Sequence, residues 1–131
     1  MSASRPVQDV INDPKTSTSL HARLEVVERA RQQAQDLGLD VKGQYTSFVP
    51  WPGDRVITTV VATRPRELEP AGFSFLLVGQ LPYKGFFEQK DAETEAATLR
   101  ADGFDTCVSP VTAYSTLGWL DDPVTEPMLR T

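Results

Sequence analysis

Arg55-Val56-Ile57-Thr58-Thr59-Val60-Val61-Ala62-Thr63 is the stretch whose reading decides the fold. β-branched residues dominate it, and apolar side chains fall on both parities, which predicts an interior strand covered on one face and partly on the other. Further strands are expected at 45–49 and 73–78. They are punctuated by Pro50-Trp51-Pro52-Gly53 and by a loop from Pro65 to Gly72. Trp51, between two prolines, is read as ending a strand and covering a core edge.

Toward the N-terminus the period changes. Leu20, Leu24, Val27, Ala30, Ala34 and Leu37 recur at steps of three and four, so a helix is expected, with Thr16 to Ser19 as possible N-caps and Gly38 as a C-terminal cap. Residues 1–15 hold Pro6, the Asn12-Asp13-Pro14 turn signal and the apolar trio Val7, Val10 and Ile11. They read as an N-terminal arm with one helical turn. Toward the C-terminus, Tyr83-Lys84-Gly85-Phe86-Phe87 extends the sheet, and residues 89–102 form a helix with Ala92, Ala96 and Leu99 inward. Gly103 caps it, and residues 104–108 supply a following strand. The expected fold is a single α+β domain over 1–131: a long N-terminal helix packed on a mainly antiparallel sheet, with a strand-helix-strand crossover near the C-terminus.

Composition narrows the function. A hydrophobic fraction of 40% and a charged fraction of 24% in 131 residues suit one globular domain, and no apolar run is long enough to span a bilayer. Thirteen Lys plus Arg against eighteen Asp plus Glu give a net charge of -5, which argues against nucleic-acid binding. No apolar leader precedes the arm, so the chain as written is expected to be cytoplasmic. With one cysteine and one histidine, an internal disulfide is impossible and a histidine-based metal site is hard to build.

Local candidates for chemistry are weak. Ser115 needs a base, and His21 lies at the edge of the early helical stripe, so a surface histidine and a turn-capping serine are preferred. Cys107, in a strand between Thr106 and Val108, reads as a small buried apolar group. Asp122-Pro123 reads as a helix start, with Asp122 as N-cap and Pro123 at the first helical position. Gly79, Gly85 and Gly103 make no phosphate loop, and no His-Glu-x-x-His stands in the sequence.

The remaining stretch, Ala113-Tyr114-Ser115-Thr116-Leu117-Gly118-Trp119-Leu120-Asp121-Asp122-Pro123, has no period and is expected to be an ordered loop. With Val111-Thr112 before it and Met128-Leu129 after it, it resembles the Ala-Tyr-Ser-Thr-Leu-Gly-Trp-Phe-Asp-Asp-Pro run and Met-Leu pair of a bacterial family of zinc aminopeptidases. Tyr83-Lys84-Gly85-Phe86-Phe87 is similar to that family's Tyr-Arg-Gly-Tyr-Phe segment, and the early helix ends in the same Leu-Gly-Leu. The resemblance runs from about Val7 to Leu129 and is looser between Trp51 and Gly72.

The resemblance implies a metallopeptidase whose zinc helix, His-Glu-x-x-His, follows the Met-Leu pair. This sequence ends at Thr131 without it, and without the export signal and lipid-attachment cysteine that family members often carry. The expectation is a shortened member with no catalytic residue, no metal ligand and no cofactor of its own, zinc belonging to full-length members. The cleft wall expected of it is Tyr114, Ser115, Trp119, Asp121 and Asp122, with Tyr114, Trp119 and Asp121 facing a ligand. The implied partners are a peptide, a chain carrying the missing catalytic part, or a second copy in a homodimer. The alternative is a free-standing peptide- or glycan-binding or protein-interaction module, since the strand–helix–strand block faintly resembles small domains that bind cell-wall glycan.

Overall fold

The computed structural model describes residues 4–75, 79–116 and 118–130. Contacts divide the chain into two compact units, one of Met1–Asp54 with Ala113–Thr131 and one of Arg55–Thr112.

The first unit begins with β1 (Arg5–Pro6) and α1 (Val7–Asn12), in which the apolar trio makes a short helix and buries Val7 and Val10. Asp13 closes α1 by accepting from Arg5 and from the Lys15 N–H, both at 2.9 Å. Helix α2 (Thr18–Asp36) starts where the Ser17 hydroxyl accepts from the Leu20 N–H, and it ends before Gly38, whose positive φ of 84° suits glycine. Strand β2 (Ser47–Val49) lies between β1, antiparallel, and β8 (Val124–Thr125), parallel. A 3-10 turn, Glu126–Leu129, follows. Val7, Val10, Leu24, Phe48 and Val124 form the core here, with Leu20, Val27, Tyr45 and Leu129 against it.

The second unit is built on β3 (Ile57–Thr63), the centre of a three-stranded sheet between β6 (Lys84–Phe86) and β7 (Asp105–Val111), each antiparallel to it. Helix α3 (Gln89–Ala101) links β6 to β7 and packs Ala92 and Ala96 on Val60, with Phe86, Leu99 and Val108 around them. Two alanines let the helix sit close to the sheet. A separate hairpin pairs β4 (Phe73–Phe75) with β5 (Gly79–Leu81).

The expected fold class needs correction. The protein is α+β, but its strands form three small sheets instead of one mainly antiparallel sheet, and one of the pairings, β2 with β8, is parallel. The long helix packs on α1 and the 3-10 turn, and it meets sheet residues in the cluster of Leu24, Phe48 and Val124. The reason lies in its own stripe. Beyond Val27 the stripe falls to Ala30 and Ala34 and ends at an exposed Leu37, so its second half is too small to anchor a sheet. The strand expected over 73–78 is described only to Phe75, and residues 76–78 lie outside the described residues.

Leu24 is fully buried at the centre of the first core. Leu24→Ala is expected to lower stability by about 3 kcal/mol, read from the urea midpoint of the first unit's transition. The Lys15 N–H, and after it the Arg5 guanidinium, hold the Asp13 carboxyl below its ordinary value of 3.8. A carboxylate depressed by folding stabilises above its unfolded pKa, and that contribution fades as pH falls through the lower folded value. An NMR titration of Asp13 should therefore show its midpoint below 3.8, and Arg5→Ala should raise it.

Candidate functional site

The loop from Ala113 to Pro123 owes its order to polar groups. The buried Asp122, 3% exposed, accepts the Thr116 N–H on Oδ2 at 2.9 Å and so closes the loop on itself. The Thr116 hydroxyl accepts from the Leu120 N–H and donates to the Leu120 carbonyl, each at 3.1 Å. Gln44 then ties the loop to the 40s segment. Its Nε2 donates to the Leu120 carbonyl at 2.6 Å and its Oε1 accepts the Asp122 N–H at 3.0 Å. The Tyr45 N–H adds a bond to the Asp122 carbonyl at 2.8 Å.

The 40s segment is itself held by α2. Arg31 donates from Nε to the Gln44 carbonyl at 2.7 Å and from Nη2 to the Lys42 carbonyl at 3.2 Å. Lys42 and Tyr45 have positive φ, 41° and 60°, a conformation that side chains disfavour and that these bonds hold in place. Gly43 between them is required for another reason. A Cβ there would overlap the Asp121 carboxylate.

Beside this clamp opens an apolar groove of about 500 Å³. Val27, Ala30 and Ala34 of α2 form one wall, Val124, Met128 and Leu129 another, and Val41, Gln44 and Tyr45 the end next to the loop. Asp40 and Arg31 supply its charged groups.

The five residues expected from the sequence are distributed unevenly. Tyr114 and Ser115 are exposed, and Trp119 and Leu120 stand out at 65% and 68% exposure. Asp121 is exposed and lies over Gly43. Asp122 faces inward as a loop brace. It caps no helix, because the residues after Pro123 pair with β2 as β8. None of the five lines the groove, and Leu117 lies outside the described residues.

Elsewhere, Cys107 is exposed, contrary to its expected burial: Val108 takes the face of β7 under α3, which turns Cys107 the other way. Its Sγ lies 3.5 Å from the Ser109 hydroxyl. Trp51 is half-buried. His21 sits on the outer side of α2 with Nδ1 3.8 Å from Glu25. Among the described residues no three His, Cys, Asp or Glu side chains converge as a metal site. Among the described residues the donors present do not fit zinc.

Gln44, Arg31 and Gly43 were not legible as site residues. Their one trace in the sequence is Gly43 within a polar stretch before a strand.

A family model described as "Putative aminopeptidase" matches residues 1–131, and the chain belongs to that family. No curated protein and no solved structure matches it. Among the described residues no helix is long and apolar enough to cross a membrane.

Removing the Gln44 amide takes away the acceptor of the Asp122 N–H and leaves the Leu120 carbonyl with the Thr116 hydroxyl. Gln44→Ala is expected to cost about 2 kcal/mol and to lower the fluorescence anisotropy of Trp119, measured in a Trp51→Phe background. Gly43→Ala should displace Asp121 and give the same loosening.

Proposed function

We propose that this member of the aminopeptidase family holds peptides on the loop at 113–123 and does not cleave them by its own residues. The observation that carries the reading is an exposed aromatic on an immobilised loop. Trp119 and Leu120 present adjacent apolar side chains to solvent while Thr116, Gln44 and Asp122 fix the backbone beneath them. A large aromatic that is already ordered loses little entropy on binding, which is what a peptide platform requires. Tyr114, Ser115 and Asp121 are exposed in the same loop, and the proposal includes them in the platform.

The non-catalytic part of the proposal rests on the donor set. Zinc hydrolysis needs several ligands and a base, and the one histidine, half-buried on α2, belongs to no such cluster among the described residues. Tight, stoichiometric zinc on the purified chain, together with peptide cleavage, would overturn that part.

Titration with short leucine-rich peptides, followed by tryptophan fluorescence, tests the platform. Trp119→Ala should weaken binding by at least about tenfold with the circular dichroism unchanged. A folded Trp119→Ala protein that binds as well as the native one would sink the reading. Chitin oligosaccharides should give no response, since a response to them alone would favour a glycan module. A concentration-dependent dimer abolished by Trp119→Ala would instead assign the same residues to contact with a second copy.

A further inference from the structure

Strand β7 is paired along its whole length with β3, and among the described residues no strand pairs with its other side. A strand open on one side presents a row of N–H and C=O groups that another strand can join, and native sheets guard such an edge with charges or proline. Here the charge stands at one end, Asp105, and the proline near the other, Pro110. Residues 106–109 between them are unguarded. The helix above the strand carries charges in a matching arrangement. Glu95 pairs with Lys84 of β6 at 3.0 Å, so that flank of α3 faces β6, and Ala92 and Ala96 pack down on Val60. At about 100° per residue, Glu93 and Arg100 fall on the opposite flank, toward β7, and both are exposed. Neither is in a salt bridge among the described residues, and Glu93 accepts a bond from the Gln89 amide at 2.7 Å.

A flank with one charge of each sign, two turns apart, is complementary to itself: turned about a two-fold axis, each arginine meets the other copy's glutamate. The strand and the helix place that axis at the same level. The midpoint of Glu93 and Arg100 falls beside Ala96, which packs in the cluster that Val108 joins, and Cys107 is both the neighbour of Val108 and the centre of residues 105–109. We infer that β7 is a dimerisation edge, at which two copies of this chain pair their β7 strands antiparallel about Cys107. The product is one six-stranded sheet with both α3 helices on the same face. This register sets Asp105 against Ser109 of the second copy and Thr106 against Val108, so no like charges stand opposite each other. The helices lie three strand spacings apart, about 14 Å, a gap that an arginine and a glutamate span together. The contact is small, so the dimer is expected to form at roughly 10–100 µM. It goes beyond the peptide-binding reading and uses no residue of the 113–123 loop.

Sedimentation of the full chain in reducing buffer, from about 5 to about 500 µM, tests it. A dimer assembling over that range is expected, and a monomer throughout overturns the inference. Arg100→Glu sets glutamate against glutamate at both symmetric contacts and should weaken the dimer about tenfold. Glu93→Arg should do the same, and the two reversals together should restore the dimer, which separates charge pairing from damage to the helix. Arg100→Ala reads the same contact should a reversal fail to fold. A dimer indifferent to the single reversals, or not recovered by the double one, overturns the pairing. Amide exchange reads the strand itself: protection of residues 106–109 should rise with concentration, and an unchanged profile overturns the edge. Diamide, which takes up the two thiol hydrogens, should link the copies through Cys107, exposed and opposite its own mate. Arg100→Glu should lower that yield, and an equal yield marks random collision and overturns the register. Trp119→Ala should leave the dimer intact, whereas a dimer lost with Trp119→Ala belongs to the loop and overturns the inference.

Discussion

The side-chain amide of Gln44 acts as a rung of backbone. It places one of its two N–H donors and its carbonyl oxygen on the main chain of Leu120 and Asp122. Asparagine is one carbon too short to span the same gap, and glutamate would present a second acceptor to the Leu120 carbonyl. Two residues beyond Asp122 the chain enters β8, with Val124 opposite Phe48 and both in the core. The position of the last strand, of the 3-10 turn and of one groove wall thus follows from where Gln44 sets residues 120–122.

Gln44 can hold that position because its own segment is constrained from behind. Arg31 reaches out of α2 to two carbonyls of the 40s segment, and the segment carries two side-chain-bearing residues at positive φ. Such residues cost about 1–3 kcal/mol each when nothing compensates them. Here the Tyr45 N–H bonds to Asp122 and its ring joins the core, so the unusual backbone is offset locally. The strain therefore sits where α2, the 40s segment and the 113–123 loop are bonded to one another, within one compact unit.

How much of this could be read from the residues depends on the range of each interaction. The β3 stretch was legible because β-branched residues on both parities describe a central strand wherever its neighbours come from. Helices α2 and α3 were legible from period and caps. The parallel pairing of β8 with β2 was not, since two residues carry no period and their partner lies more than seventy positions away. That pairing is why Asp122-Pro123, a sound helix start by local chemistry, starts none. Cys107 failed for a related reason: the side of an edge strand that a helix covers is decided by α3, and the strand's own composition does not mark it. Gln44 gave no signal because a glutamine in a polar loop looks the same whether or not it bonds.

The loop quoted for its family likeness and the groove beside it also obey different physical rules. Loop residues are identified by kind, since a Trp, a Thr and two Asp in eleven positions have few other uses than packing, bracing or contact. Groove residues are ordinary by kind, being alanine, valine and methionine, and become a site only through the volume left between them. A binding surface built from both would show only half of itself in a sequence motif. The bracing Asp122 and the exposed Trp119 stand three positions apart, and the first closes, through the Thr116 N–H, the loop that carries the second. Bracing and exposure within the loop thus fall to different residues, a buried carboxylate and a solvent-facing indole.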